Sequence, residues 1–307
     1  MEYVLRTHGL TKKYRRHLAV NEASMNIGKG DIYGFVGENG SGKTTIIRLI
    51  TGLIHPHAGS FELFGVSNTH PDIARARRKI GAVVETPSIY QNMSAYDNLK
   101  MQGTLLGIKD EQKIRDVLKT VGLDELYSEK KHAGDFSLGM RQRLGIAMAL
   151  IGEPQFLILD EPMNGLDPAG IVEIRELILR LNREKGITFL ISSHILTELS
   201  LVATKYGIIS KGHIIKEITA DELHRVCGKY TLIKAENNDA LLTLMQQHLP
   251  SNAVNMDGDR VRIGGEIDLN AVLPVILESG NRILSINCTE TGFEEYYLSL
   301  IGGGRHD

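Results

Sequence analysis

Tryptophan is absent, cysteine occurs only twice, and no apolar run approaches the length of a bilayer. The two cysteines, Cys227 and Cys288, fit no zinc-ligand spacing. So few thiols suit a reducing compartment, with one late disulfide as the alternative. A spanning helix needs roughly 18–20 apolar residues. The longest candidates, "FLILD" and "TFLISS", are strand-sized. The sequence therefore predicts no direct membrane insertion, and any membrane role has to pass through a partner. The first seven residues are mixed and lead into a basic cluster, unlike a signal peptide. An excess of one charge is missing too: 35 Lys and Arg face 37 Asp and Glu. That balance gives no hint of bulk nucleic-acid binding. Repeats and low-complexity stretches are lacking as well. What is present is a 307-residue chain, 42% hydrophobic, enough to build a full core in one large domain or two smaller ones.

Up to about residue 218, short β-rich runs alternate with longer helical ones. Residues 31–36, 80–84, 156–159, 188–191 and 206–210 read as strands. Residues 44–50, 171–184 and 195–201 have helical spacing. The alternation predicts an α/β fold with a largely parallel sheet. Residues 94–150 carry almost no strand signal and read as a helical subdomain inserted between two strands. From about residue 219 the rhythm becomes β-α-β-β-α-β over 230–288, with "DGD" as a hairpin turn, and a last helix covers 293–300. That order suggests a small ferredoxin-like α+β domain at 219–307.

"GENGSGKT", Gly37–Thr44, follows an apolar strand and opens a helix. Gly37, Glu38, Asn39, Gly40, Ser41 and Gly42 form a loop whose backbone N–H groups can converge on phosphate oxygens, since glycine accepts the dihedrals such a nest needs. The helix start adds its positive end. Lys43 supplies a charge for the outer phosphates, and the Thr44 hydroxyl is a natural Mg²⁺ ligand, with Thr45 beside it. "FLILDEP" is a second strand, ending in two acids. Asp160 suits Mg²⁺ through water, and Glu161 suits a base that polarises the attacking water. A strand ending in acids is common by itself; beside a phosphate loop it gains meaning.

Three further pieces complete a set: "FSLGMRQRLGIAMAL" before the acidic strand, "NGLDP" after it, and "SSH" ending the next strand. In this order and spacing, residues 3–218 resemble an ATP-binding-cassette (ABC) ATPase. The resemblance implies a P-loop NTPase cassette with a RecA-like core, an antiparallel β subdomain and the inserted helical subdomain. It implies ATP and Mg²⁺ as ligands and Mg²⁺-dependent ATP hydrolysis coupled to transport. By position, Tyr14 matches the aromatic that stacks on adenine. His194 matches the switch histidine at the γ-phosphate. Ser137 and Gly139 match the signature that closes on ATP held by the opposite protomer, and Asp167 matches an acid that passes between protomers. Such cassettes work as pairs around two ATP molecules, so the resemblance implies a homodimer docked on membrane-spanning permease subunits at the inner face of the cell membrane.

Two departures stand out. The usual Gly-Gly-Gln after the signature Ser is Leu138-Gly139-Met140 here, and Glu85 stands where the family usually has Gln. Glu85 starts the loop between core and helical subdomain and is expected near Mg²⁺ and the γ-phosphate, as a third ligand beside Thr44 and Asp160 that engages strongly only when Mg²⁺-ATP is present. The combination resembles the subgroup protecting bacteria against bacitracin and lantibiotic peptides. Residues 219–307 match no assigned function and read as a packing or dimer-stabilising extension, with a regulatory or partner-docking module as the alternative. Alternatives are a soluble cassette acting on ribosomes or DNA, the ATPase of an importer, and an unrelated P-loop kinase. The ribosomal factors usually carry two cassettes, the DNA-acting ones a long coiled coil, and a kinase has no use for the signature.

Overall fold

Ile32–Val36, Phe156–Asp160 and Thr188–Ser193 are buried at every position. Strands buried on both faces belong to a parallel sheet covered by helices, which is why they read as continuous apolar runs rather than as alternation. In the computed structural model, which describes residues 2–290 and 292–302, they sit at the centre of a six-stranded sheet. Its order is His213–Thr219, Lys205–Ser210, Ile32–Val36, Thr188–Ser193, Phe156–Asp160, Ile80–Val83. All neighbours are parallel except the hairpin that adds His213–Thr219 at one edge. The carboxyl ends of the central strands therefore open on one side, where crevices in such sheets take ligands.

A second, antiparallel sheet is organised around Tyr3–Tyr14, which pairs with His17–Ala23, Asn26–Gly28 and Ala58–Leu63. Leu5, Leu10, Ile27, Phe61 and Leu63 of this sheet share one core with Ile46, Ile50, Phe156 and Ile158. The phosphate-loop helix is thus clamped between both sheets. Tyr33 in the central strand is fully buried and donates a hydrogen bond to Glu217 Oε1 at 3.0 Å, while Lys205 pairs with the same oxygen at 3.0 Å. Burial first, and the Glu217 carboxylate second, push the Tyr33 phenol well above its ordinary pKa, so it remains a neutral donor.

Between Ile80–Val83 and Phe156–Asp160 the chain leaves the sheet for the helices Ala95–Leu105, Glu111–Thr120 and Leu138–Leu150. Ser94, Asp110 and Ser137 cap their N-termini through side-chain oxygens that accept backbone N–H bonds. The chain divides into two compact units, residues 1–220 and 221–307. The second unit has a four-stranded antiparallel sheet in the order Val254–Asp257, Arg260–Gly264, Lys229–Ala235, Ile283–Glu290. With the helices Asn238–His248 and Leu269–Glu278 between its strands, this is the split β-α-β arrangement of ferredoxin-like domains. Its separate core contains Ile233, Leu241, Met245, Val261, Ile263 and Ile276. The last helix spans Phe293–Gly302.

Candidate active site

The strand Ile32–Val36 delivers its chain directly into the 37–42 loop, and the helix Lys43–Thr51 begins where Gly42 turns at φ 112°. No L side chain is comfortable there, so glycine is required for the loop to close over a ligand. Lys43 is buried although charged, and its Nζ bends back to donate to Gly37 O at 2.6 Å and Glu38 O at 3.2 Å. Ser41 Oγ is buried with no hydrogen-bond partner among the described residues. A buried ammonium resting on loop carbonyls, beside an orphaned hydroxyl, is a cradle suited to phosphate oxygens.

Asp160 ends the neighbouring strand but one and is buried. Its Oδ2 accepts from Thr44 Oγ1 at 2.8 Å, and its Oδ1 accepts from Ser192 Oγ at 2.5 Å. The parallel register that pairs Asp160 with Ser192 sets this second contact. One hydroxyl and one carboxylate side by side at the end of the phosphate loop form an all-oxygen donor set that fits Mg²⁺. Glu161 adopts φ 52°, a left-handed turn that few non-glycine residues take. Its N–H donates to Ser192 Oγ at 2.9 Å. Its carboxylate lies 2.7 Å from His194 Nδ1 and 3.4 Å from Lys43 Nζ. Lys43, Thr44, Asp160, Glu161 and His194 thus form one connected cluster.

Tyr14 and His17 face the same cleft as Asn39, Lys43, Thr45 and Glu161, a space of about 280 Å³. Tyr14 is partly exposed, and Lys12 Nζ lies over its ring at 5.5 Å. Ser137, Gly139 and Asp167 do not line this cleft. The Ser137 hydroxyl accepts from Met140 N–H at 3.2 Å, and Asp167 Oδ1 accepts from Gly170 N–H at 3.1 Å, so both cap helices of their own chain.

Glu85 lies apart from the Thr44–Asp160 pair. The strand stops at Val83, and the Glu85 backbone turns at φ 62°. Its carboxylate does not join Thr44 and Asp160; Oε1 accepts from Arg48 Nη2 instead. The physical reason is charge: the Arg48 guanidinium is the cation within reach of the carboxylate, and it holds it through one contact. Sequence reasoning missed Arg48, because a basic residue in the last turn of a helix reads as a dipole-compensating surface group. It included Ser192 in "SSH" but gave it no role of its own, since its contact with Asp160 comes from the pairing of two strands.

Comparison with known proteins agrees with this geometry. The profile of the ABC transporter family matches residues 20–164. The bacitracin transport ATP-binding protein BcrA of Bacillus licheniformis is 41% identical over 309 residues, covering 99% of both chains. The lantibiotic transport ATP-binding protein SrtF of Streptococcus pyogenes is 45% identical over 238 residues, covering 78% of this chain and 98% of its own. Among solved structures, cbiO1 of Clostridium perfringens, part of the ABC transporter complex cbiONQ, superposes with a TM-score of 0.65 at 26% identity, over 82% of this chain and 97% of its own. No helix among the described residues is long and apolar enough to cross a membrane. The phosphate cradle, the Thr44–Asp160 donor pair and the cassette fold are those of a Mg²⁺-dependent ATPase, and the chain belongs to the ATP-binding subunits of ABC transporters.

Proposed function

We propose that this chain is the cytoplasmic motor of a bacitracin-type resistance transporter, working as a homodimer on separate permease subunits. The observation that carries the reading is the full-length likeness to a bacitracin transport subunit, second unit included. The lantibiotic relative aligns over 238 residues, about the length of the first unit. A permease surface is supported by a groove of about 430 Å³ beside the Glu85 loop, lined among others by Arg77, Val84, Ser88, Leu106 and Met148. Tyr90, Leu105 and Leu106 are exposed apolar side chains in this region, the kind of surface a partner covers.

In this reading Tyr14 stacks on the adenine. Lys43 exchanges the carbonyls of Gly37 and Glu38 for phosphate oxygens, and the N–H groups of the loop hold the rest of the phosphate chain. Thr44 and Asp160 would hold Mg²⁺, which would supply positive charge to offset that of the phosphates. Glu161 takes the proton of the attacking water, and His194 fixes the carboxylate and senses the γ-phosphate. Ser137, Gly139 and Asp167 act across the dimer on the partner's nucleotide. Glu85 would be a further oxygen ligand for the metal once nucleotide is present. Tyr14→Ala should weaken ATP binding about tenfold, since stacking on one aromatic is worth roughly 1–3 kcal/mol per base; unchanged affinity in a fluorescent-nucleotide titration would remove Tyr14 from the base site.

Production of the chain together with the membrane proteins encoded beside its gene tests the function. The minimal inhibitory concentration of bacitracin should rise several-fold, and Lys43→Ala should abolish the rise. Protection against lantibiotics alone would reassign the cargo, and a gain in uptake of a nutrient without protection would favour an importer.

A further inference from the structure

Arg48 lies outside the phosphate cluster. It sits four residues after Thr44 in the Lys43–Thr51 helix, hence on the same face one turn further along, about 6 Å down the axis. Its only role in the geometry above is to hold Glu85. Two residues beyond Glu85, the Pro87 ring packs tightly against Gly145 in the middle of the Leu138–Leu150 helix. The same helix is capped by Ser137. Before Tyr90, which is tied to Asn98, the loop is held by its carboxylate on the nucleotide helix and by its proline on the signature helix.

We propose that Arg48 is a positioning residue that latches Glu85 while no nucleotide is bound, and that Mg²⁺-ATP competes with Arg48 for the carboxylate. The inference rests on the reading of Glu85 as a residue that engages the metal. It supplies a reason for a carboxylate at this position. A guanidinium holds an ionised carboxylate by charge as well as by hydrogen bonding, whereas an amide offers one neutral acceptor. An amide would hold the loop less firmly. The pair is also suited to release. The side chains of Arg48 and Glu85 are 37% and 56% exposed, so solvent screens them and the contact is weak. A divalent cation, a harder and more concentrated charge, outcompetes it. When the carboxylate shifts one helical turn toward Thr44, Pro87 is pulled with it, and its contact passes the movement to the helix that begins at Ser137. Nucleotide state is thereby tied to the position of the signature.

Amide hydrogen exchange of residues 84–90 in the nucleotide-free protein tests the latch directly. Arg48→Gln and Glu85→Gln should each speed exchange about two- to fivefold, as expected for an exposed ion pair. The double variant should be no faster than either single one, and Arg48→Lys should return exchange toward the wild-type rate. Additive effects, or no change in Arg48→Gln, would overturn the latch. Arg48→Lys, which keeps the charge, remains decisive if Arg48→Gln folds poorly. The second readout is the Mg²⁺ concentration that half-saturates binding of a fluorescent ATP analogue. Arg48→Gln should lower it about two- to fivefold, and should have no effect in a Glu85→Gln background. Faster exchange with an unchanged Mg²⁺ requirement would sink the competition, and with it the reading of Glu85 as a metal-engaging residue. A shared Mg²⁺ effect with unchanged exchange would sink the latch alone.

Discussion

Glu161→Gln is expected to slow phosphate release about 10²- to 10⁴-fold, the usual contribution of a general base, while leaving ATP binding intact. The substitution is nearly isosteric, and the surroundings tolerate it. The backbone turn at φ 52° and the N–H bond to Ser192 do not depend on the side-chain charge. The amide oxygen can still accept from His194. Lys43 is not orphaned by loss of the carboxylate, because Gly37 O and Glu38 O hold it at 2.6 and 3.2 Å. What the amide cannot do is accept a proton from water. Binding without hydrolysis should leave ATP trapped between two chains, so the variant should elute as a dimer with Mg²⁺-ATP and as a monomer without it. Near-normal turnover would remove Glu161 from the base role. Loss of ATP binding would mean that its contact with Lys43, rather than proton transfer, is its main contribution.

The parallel strands were legible because burial on both faces writes an uninterrupted apolar run. The antiparallel sheet was not legible from the pattern. Tyr3–Tyr14 shifts register against each of its three partners, and each bulge breaks the alternation by which a half-buried strand is recognised. The edge strand His213–Thr219 escaped for a related reason: most of its residues stay partly or fully exposed. In the site, Lys43, Thr44, Asp160, Glu161 and His194 were all marked by their places at a strand end or helix start, and sheet topology alone brings those ends together. The partner of Glu85 was hidden. Arg48 and Glu85 are 37 positions apart and meet through tertiary packing of a helix end against a loop, which no local spacing announces. The same holds for the caps made by Ser137 and Asp167. A cap is readable as a helix start, but the particular backbone N–H that its hydroxyl or carboxylate binds is not.

Gly145→Ala should cost about 1–3 kcal/mol of stability, in contrast to Gly139→Ala in the same helix, which should cost nothing measurable. A Cβ on Gly145 would lie 2.5 Å from Pro87 Cβ and 2.8 Å from its Cγ. Carbon atoms at rest stand about 3.5–4.0 Å apart, so a shift near 1 Å is required. The proline ring cannot rotate out of the way, so backbone has to move. If the loop moves, the Glu85–Arg48 pair is strained; if the helix moves, Ser137 moves with it. Gly139 meets only Leu166, at 3.9 Å, an ordinary contact. Both replacements gain up to about 1 kcal/mol of helix propensity, so the comparison isolates the clash. Differential scanning of the nucleotide-free protein should show a lower melting temperature for Gly145→Ala, by roughly 2–12 °C for a unit of this size, and none for Gly139→Ala. ATP turnover should fall in Gly145→Ala through the displaced joint, and in Gly139→Ala as the proposed role of Gly139 at the partner's nucleotide requires. Equal melting temperatures for Gly145→Ala and wild type would show that Pro87 yields freely, and that the loop does not couple the two helices.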